Sequence, residues 1–323
     1  MNRKTRTTLR GATFLLSVAG LCLVAWVISH RQAGAGRRGL GRSFNFDLAR
    51  HLDVDPELVI YDEAESLLTG LDVVTALAVG PGDSIYVGGD QSVRVLAANG
   101  EERSRIDVDA APSCLAVDAN GTLYAGIGNH VEVFHAGGVR MTSWEPSSGD
   151  ALPVSIALRD GDVLVGDARH EQVLRYDRCG VLVDSIQGLV RFSSPILGMA
   201  VDPEGDLWVA NAGGRELRCY GRNGAVKKGW SKSGRDIGHF SGCCNPVDIA
   251  IRADGCIVTS EKNIVRVKVV SPAGKLIGVV AGPKAFDQSI TKLDIAVDSR
   301  GRVLVLDPIR KAVRVFVAKE QKT

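Results

Sequence analysis

Residues 295–305 read IAVDSRGRVLV, which is a short apolar strand around an alanine, a tight polar turn with a glycine, and a second β-prone strand. The same unit begins six times along the chain, at Ala78, Ala116, Ala157, Ala200, Ala250 and Ala296. These alanines are 38, 41, 43, 50 and 46 residues apart, and each interval has room for four strands. Four-stranded units of this length are typical of propeller blades, which bury a core only by stacking on their neighbours. The sequence therefore predicts an all-β protein, a six-bladed β-propeller over residues 58–323.

The sixth unit is incomplete, because it ends after the strand Val313–Val317 and lacks a fourth strand. Two β-prone runs, residues 58–61 and 65–68, lie just before the first unit. We expect one of them to supply the missing outer strand and so to close the ring, which removes an exposed sheet edge. The alternative is that this segment is only a linker.

The later units carry a family resemblance. The pattern P-x-x-(I/L/M)-A-(V/I)-D-x-x-G-x-(L/I)-x-V is matched best by units four, five and six, in the ranges Pro195–Tyr220, Pro246–Val270 and Lys292–Phe316. This pattern resembles NHL-repeat propellers over about residues 58–317, and the long connection Gly229–Pro246 is similar to a block in uncharacterised bacterial NHL proteins. Such propellers include scaffolds, binding modules, lyases and lactonase-like hydrolases, so the resemblance implies the fold but no single activity.

The N-terminus has a different character from the repeats. Residues 11–29 are almost wholly apolar and uncharged, follow a basic tail (residues 1–10) and precede a Gly/Arg-rich tether (residues 30–57). Nineteen such residues are long enough to span a bilayer, so we predict a transmembrane signal anchor. The expected arrangement is a single-pass protein of the cell inner membrane with a periplasmic propeller. Cleavage near Ala33-Gly34-Ala35 is the alternative.

The net charge of the repeats argues against nucleic-acid binding. Eight of the 39 Lys and Arg lie in the first 42 residues, which leaves 31 basic against 37 acidic residues in the rest of the chain. A net negative propeller lacks the basic footprint of a nucleic-acid-binding domain. We therefore expect a protein or small-molecule ligand, and no nucleic acid, at the propeller mouth.

Oxygen-bearing side chains recur at two positions that a propeller places on one face. The end of the second strand and the start of the first strand together contribute Asp167, Asn211, Glu261, Asp307, Asp248 and Asp294, with Lys262 following Glu261. Such a ring suits Ca²⁺ or the hydroxyl groups of a ligand. In the alternative interpretation, the strand-end carboxylates only tie loops by hydrogen bonds. We further expect Glu261 and Asp248 to share one ligand, because they lie at the same end of one blade.

Histidine and cysteine suggest other chemistry. His130, His170 and His239 fall in loops of the same face, where three imidazoles can form an open Zn²⁺ site. Cys243 and Cys244 are adjacent, and Cys114 is expected on the same face, with Cys179, Cys219 and Cys256 on the other. Structural disulfides or buried thiols, and a redox or soft-metal role, are both compatible with this arrangement.

Three functions remain open at this point. The first is a membrane-anchored binding module without chemistry, since no complete catalytic constellation is present. The second is a metal-dependent hydrolase or lyase that uses the mouth carboxylates, and the third is a redox-associated component that works through Cys243 and Cys244.

The basic residues Lys262, Arg266 and Lys268 alternate along a strand and predict one solvated face.

Overall fold

The computed structural model describes residues 51–187, 197–242 and 244–320. In these ranges 24 strands form six antiparallel four-stranded sheets, with short 3₁₀ turns at Pro56–Leu58, Pro81–Asp83, Ala212–Gly214 and Pro283–Ala285. The predicted six-bladed β-propeller is confirmed. The predicted anchor (residues 11–29), the tether up to residue 50, and Cys243 lie outside the described residues. Within the described part of the chain, no helix combines the length and apolar character needed to cross a bilayer.

The strands of the first three blades run in sequence order within each sheet, starting from the channel. Strand β1 (Tyr61–Leu68) belongs to the last blade. The others are β2 (Ala76–Gly80), β3 (Ser84–Gly89), β4 (Ser92–Leu96) and β5 (Glu102–Asp107) in blade one; β6 (Cys114–Val117), β7 (Leu123–Ile127), β8 (His130–Phe134) and β9 (Arg140–Ser143) in blade two; β10 (Pro153–Arg159), β11 (Asp162–Asp167), β12 (Gln172–Asp177) and β13 (Leu182–Gln187) in blade three.

Blades four and five repeat this order, and blade six takes its fourth strand from the N-terminal side. Their strands are β14 (Met199–Val201), β15 (Leu207–Asn211), β16 (Glu216–Tyr220) and β17 (Val226–Ser231) in blade four; β18 (Asp248–Ile251), β19 (Ile257–Glu261), β20 (Arg266–Val270) and β21 (Leu276–Ala281) in blade five; β22 (Asp294–Val297), β23 (Val303–Asp307) and β24 (Ala312–Ala318) in blade six.

Strand β1 closes the ring as expected. It pairs antiparallel with β24, from Tyr61 opposite Ala318 to Leu68 opposite Ala312. Across this pair Arg314 donates to both carboxylate oxygens of Glu63. The guanidinium of Arg314 also lies over the rings of Phe286 and Phe316. The two ends of the propeller are therefore joined by backbone pairing and by one partly buried charged contact.

The inner strands are apolar on both faces because a neighbouring blade covers each face. Alternate residues of the second strands β11, β15 and β23 are at most 2 % exposed, namely Val163, Val165, Leu207, Val209, Val303 and Val305. By contrast, the outer strand β13 is exposed over most of its length. Burial of apolar surface between blades is thus the main stabilising contribution, and it depends on all six blades being present.

The turn between the first and second strands is held by an aspartate. Asp118 accepts hydrogen bonds from the backbone N–H groups of Asn120 and Thr122. Asp202 does the same for Glu204 and Asp206. This contact explains why the repeat carries Asp directly after the Ala-Val core, since the side chain satisfies the N–H groups of a tight turn.

The residues before β1 pack on blade five. Val59 pairs with Val279 of β21, and the Ile60 N–H donates to the Val279 carbonyl at 3.0 Å. A Cβ atom at Gly278 would lie 2.5 Å from the Ile60 side chain, and one at Gly282 would lie 2.9 Å from Val54. The segment therefore covers part of the outer edge of blade five, and glycines provide the space for it.

Candidate functional site

Two adjoining cavities lie at the propeller axis, and both have Val154 and Asp294 in their walls. The channel cavity, of about 290 Å³, is lined by first-strand residues of all six blades. The mouth cavity, of about 380 Å³, is lined by residues beside the first strands, among them Thr75, Thr291 and Lys292. The mouth cavity has the size of a small-ligand site.

Asp248 and Asp294 begin the first strands of neighbouring blades and face each other closely enough to share a proton. Asp248 Oδ2 accepts from the Ile295 N–H at 2.9 Å, and Asp294 Oδ2 accepts from the Leu77 N–H at 2.7 Å. Each carboxyl thus ties its blade to the next. Burial and the nearby Asp294 carboxylate raise the pKa of Asp248 well above its usual range.

Lys292 supplies the positive charge at this point of the mouth. Its Nζ lies 3.4 Å from Asp294 Oδ1, and its side chain is 34 % exposed. Burial disfavours the ammonium, but the Asp294 and Asp248 carboxyls outweigh this and raise the pKa of Lys292. Sequence reasoning did not single out Lys292. The available signal was its place in the repeat, where three of the other five units have a proline: Pro112, Pro153 and Pro246.

Cys114 lies in the wall of the channel cavity, at the repeat position of Asp248 and Asp294. Its thiol is 3.8 Å from the Ser113 hydroxyl, which donates to the Pro153 carbonyl of the next blade. Burial raises the pKa of Cys114 to about 11, so the group is a neutral thiol near pH 7. A protonated thiol is a poor nucleophile and a poor metal ligand.

The side chains that end the second strands are occupied by contacts within their own loops. Asp167 accepts from the backbone N–H groups of Leu152 and Arg169 and lies 2.6 Å from His170 Nδ1. Burial opposes its ionisation, but these donors outweigh that effect and lower the pKa of Asp167. Asn211 accepts from the Gly214 N–H, and Asp307 accepts from two N–H groups of the following loop. These contacts are the ones expected if the strand-end side chains tie loops together by hydrogen bonds.

Glu261 is part of a buried charge cluster with Arg266 and Lys268, and all three side chains are at most 2 % exposed. Arg266 donates to both Glu261 oxygens at 3.0 Å, and Lys268 Nζ lies 2.8 Å from Oε1. The expectation that Arg266 and Lys268 lie on a solvated face is therefore wrong. The reason is the long connection before blade five, whose carbonyls at Ile237 and His239 cover Lys268 and accept from it.

The expected shared site of Glu261 and Asp248 is also not formed. The Glu261 carboxylate is engaged by Arg266 and Lys268, whereas the Asp248 carboxyl faces Asp294 and Lys292. Lys262 contributes its backbone, which exchanges hydrogen bonds with the Asn245 side chain at 2.8 and 2.9 Å. The strand-start residues and the strand-end residues thus form separate networks.

The three histidines are not brought together as a metal site. His130 lies 3.5 Å from Glu132, His170 contacts Asp167 and Asp150, and His239 lies 3.7 Å from Asp236. Among residues 51–187, 197–242 and 244–320, three His, Cys, Asp or Glu ligand atoms come within 4.8 Å of one another at Asp202, Asp206 and Cys219 alone. The three histidines therefore do not form the zinc site that their loop positions allowed.

The group of Asp202, Asp206 and Cys219 lies at the turn end of blade four and is already satisfied. Asp202 Oδ2 accepts from Trp208 Nε1 at 2.9 Å, and Asp206 is paired with Lys227. Burial and the Asp206 carboxylate raise the pKa of Cys219 to about 11. These contacts are those of a structural turn rather than of an open metal site.

Of the two structural alternatives for the cysteines, disulfides or thiols, four described cysteines adopt the second. Cys114, Cys179, Cys219 and Cys256 are free thiols. Cys244 is buried with a positive φ of 64°, in a block where Asn245 donates to the Ser241 carbonyl. Because Cys243 lies outside the described residues, the redox role of the Cys243–Cys244 pair stays a prediction.

Comparisons with known proteins place the fold but no family. No protein-family model matches the chain, and no curated protein matches its sequence. The structure is similar to a streptogramin B lyase, with a TM-score of 0.58, 11% identity, and coverage of 80% of this chain and 98% of that one. It is also similar to a catalytically inactive virginiamycin B lyase from Staphylococcus aureus with quinupristin (TM-score 0.56, 11% identity, 80% and 100% coverage). At this identity the likeness shows the propeller fold alone, and the NHL resemblance stays a prediction.

Proposed function

We propose that this chain is a ligand-binding propeller whose site is the mouth cavity around Asp294 and Lys292. The observation that carries the proposal is the contrast between two sets of charged groups. The strand-end residues Asp167 and Glu261 are saturated by neighbouring donors, whereas Lys292 and Asp294 line an open cavity of about 380 Å³. Charged groups that converge on a cavity and keep unused hydrogen-bonding capacity are typical of binding sites.

The test is a ligand screen followed by closure of the cavity. The purified full chain in detergent is screened by thermal shift against small molecules and short peptides of different charge. Each ligand that binds is then measured against Thr291→Trp, which fills the mouth from an exposed wall residue, and against Met141→Trp, which changes an exposed residue of β9. We expect binding to be lost with Thr291→Trp and kept with Met141→Trp. Binding that is insensitive to Thr291→Trp, or no saturable binding at millimolar concentrations, contradicts the proposal.

A membrane location is part of the same proposal. Residues 11–29 would hold the propeller at the inner membrane on its periplasmic side, as their length and lack of charge suggest. The chain is expected to remain with membranes after an alkaline carbonate wash. In spheroplasts, protease added from outside should digest the propeller. Protection of the propeller from the protease would place it on the cytoplasmic side instead. Release of a shortened soluble form would show that the anchor is cleaved.

A second function, acid–base catalysis at the same mouth, is favoured by the Asp248–Asp294 pair. Burial and Asp294 raise the pKa of Asp248, so this carboxyl keeps its proton to a higher pH than an exposed aspartate does. A carboxyl group with a raised pKa beside a second carboxyl is a frequent arrangement in enzymes that transfer protons. Each ligand found in the screen is incubated with the wild type and with Asp248→Asn, and the mixture is analysed by mass spectrometry. A product that depends on Asp248 supports catalysis, and an unchanged ligand supports binding alone.

A further inference from the structure

We propose that the propeller has a second binding site, which takes the phosphate group of a small molecule in a cavity at the turns of blades two, three and four. This turn cavity has a volume of about 370 Å³. It adjoins the channel cavity, because Val117, Leu158 and Val201, near the ends of three first strands, line both. The site lies at the opposite end of the channel from the mouth, and it goes beyond the proposed function.

Three arginines converge on the turn cavity. Arg159 is the last residue of β10, Arg178 follows β12 in the outer hairpin of blade three, and Arg222 follows β16 in the outer hairpin of blade four. A guanidinium group is always charged, and its planar fork of N–H donors matches the oxygens of an anion. The turn cavity therefore has the side chains of an anion site, provided that these donors are not already used within the protein.

Arg159 is the buried member of the three, at 5 % exposure. Its Nε and Nη2 donate to Asp162 Oδ2 at 3.1 and 2.8 Å, and no acceptor of the described residues takes a hydrogen bond from its Nη1. The same Asp162 oxygen lies 2.9 Å from Arg175 Nε, so one carboxylate faces two guanidinium groups. A buried cation that shares its counter-charge and keeps an unused donor favours a further anion beside it.

Arg178 and Arg222 are half-exposed and keep most of their donors. An arginine has five N–H donors, and Arg178 gives one through Nη1 to Asp118 at 2.7 Å. Arg222 Nη2 is 3.7 Å from Asp160, whose side chain is 98 % exposed, and Arg222 donates no hydrogen bond within the described residues. A Cβ atom at Gly205 would lie 2.5 Å from Arg222 Nη2, so a glycine makes room for this guanidinium at the cavity wall.

The carboxylates in the wall have little acceptor capacity left. Asp118 accepts from the N–H groups of Asn120 and Thr122 through Oδ1 and from Arg178 through Oδ2. Both oxygens of Asp202 are likewise engaged, by two backbone N–H groups and by Trp208. The turn cavity thus combines arginines with unused donors and carboxylates whose oxygens are occupied, which is the hydrogen-bonding pattern of a site for an acceptor.

The arrangement suits a phosphate group better than other ligands. Three guanidinium groups repel a cation, and an apolar ligand would leave their donors unpaired. A carboxylate has two oxygens, whereas a phosphate group presents three or more acceptor oxygens and a larger negative charge. Guanidinium groups from two blades that surround one cavity can use these additional acceptors.

The experiment compares phosphates with a carboxylate and an uncharged analogue. The full chain in detergent is titrated by calorimetry, in a buffer without phosphate, sulfate or carboxylate, with inorganic phosphate, glycerol 3-phosphate, malonate and glycerol. We expect both phosphates to bind saturably, malonate to bind at least about tenfold more weakly, and glycerol not to bind. Added sodium chloride should weaken phosphate binding, because salt screens charges at a partly exposed site.

Arginine variants locate the bound phosphate. Arg222→Gln removes a guanidinium whose one printed contact is the exposed Asp160, so it should fold, and it should weaken phosphate binding by about tenfold or more. Arg222→Lys keeps the charge without the fork and should give an intermediate affinity. Arg178→Gln is a second variant of the site. Arg105→Gln, which removes a half-exposed guanidinium paired with Asp107 on β5, is the matched control and should leave the affinity unchanged.

Each remaining outcome decides the matter. Absence of saturable phosphate binding, or equal affinity in wild type, Arg178→Gln and Arg222→Gln, overturns the site; the unfolding midpoint of each variant reports whether it folds. Malonate that binds as tightly as phosphate refutes the phosphate class. Thr291→Trp, which fills the mouth, should leave phosphate affinity unchanged, and loss of phosphate binding there would place the phosphate at the mouth instead. A ligand screen that finds nothing at the mouth contradicts the proposed function and leaves the turn cavity unaffected.

Discussion

At Asp248 the fold places a carboxyl group where burial and a second carboxylate both oppose its ionisation. The group is nevertheless useful to the structure, because its Oδ2 accepts from Ile295 and so joins blade five to blade six. Asn keeps this acceptor and removes the titration. Substitution by Asn can therefore preserve the contact with Ile295, but it abolishes the change of protonation state.

Asp248→Asn should change the pH dependence of stability in a defined direction. The native state keeps a proton on Asp248 at pH values where the unfolded chain, with a pKa of about 3.9, has lost it. This contribution to stability is therefore present at low pH and declines as pH rises from about 4 through the raised folded pKa. Relative to wild type, Asp248→Asn should be more stable at pH 8 than at pH 5. Denaturant unfolding at both values tests this, with Asp107→Asn as control; an equal difference at both pH values would contradict the raised pKa.

Gly198 is the residue whose size permits this arrangement. A Cβ atom there would lie 2.6 Å from Asp248 Cα and 2.8 Å from the Ile249 nitrogen. Both are backbone atoms, so the clash cannot be relieved by a rotamer change. The absent side chain is therefore required by the close approach of β18 to the first strand of blade four.

Gly198→Ala is expected to displace the start of β18 and to destabilise the propeller by about 1–3 kcal/mol, the usual range for overpacking. It should also lower the affinity for every ligand that binds through Asp248. Gly149→Ala is the matched control, because a Cβ there meets nothing within 4 Å. Unfolding midpoints and ligand affinities of the two variants provide the comparison. Similar stability of Gly198→Ala and Gly149→Ala would show that β18 moves freely at this point.

At the scale of elements, β19 and β20 hold the long connection between blades four and five. Arg266 and Lys268 of β20 donate to the His239 carbonyl, and the Ser241 N–H donates to Glu261 of β19. Phe240 stacks on Trp230 at a centroid distance of 5.4 Å and lies under the Lys268 ammonium. Burial lowers the pKa of Lys268 to about 8, and Glu261 is the largest of the influences that oppose this shift. Glu261 is thus the centre of a structural cluster.

Glu261→Gln should destabilise the protein by about 3–5 kcal/mol, because it leaves two buried cations without their partner. The connection 232–242 should lose protection from hydrogen exchange before the rest of blade five. Asp107→Asn, which breaks the exposed Arg105–Asp107 pair, should change stability by less than about 1 kcal/mol. A Glu261→Gln protein as stable as wild type would return Glu261 to the candidates for ligand binding.

For the whole molecule, the repeat made the fold predictable because each unit shows the same alternation of apolar strands and polar turns. The spacing gave six blades, and the incomplete last unit indicated closure by an N-terminal strand, which β1 provides. The channel-lining position at the start of the first strand could also be predicted from the sequence. Asp248, Asp294 and Cys114 occupy equivalent places in three blades and line one channel.

Side-chain partners were less predictable, because they depend on contacts between distant segments. The burial of Arg266 and Lys268 results from a connection that folds back over β20 and is specified by no local pattern. The role of Lys292 was visible only as the replacement of a proline in the repeat. The sequence predicts the loop histidines on one face of the propeller, but the width of a propeller keeps the loops of different blades apart. His130 and His170 therefore contact acidic residues that are close to them in sequence.

Closure of the ring gives the last prediction, at Glu63. Hydrogen bonds from Arg314 outweigh burial and lower the pKa of Glu63. The contribution of the ionised Glu63 carboxylate to the stability of the fold is therefore present above a pH of about 4.3 and is lost as pH falls through the lower folded pKa. Glu63→Gln should therefore reduce stability at pH 7 by about 1.5–3 kcal/mol, the usual contribution of a hydrogen bond to a charged group, and by much less at pH 3. Glu102→Gln, which weakens the Arg94–Glu102 pair within blade one, is the control for an ion pair that does not close the ring. Unfolding of both variants at the two pH values tests this. If Glu63→Gln cost no more than Glu102→Gln at pH 7, closure would rest on the backbone pairing of β1 with β24, and the Arg314 contact would be dispensable.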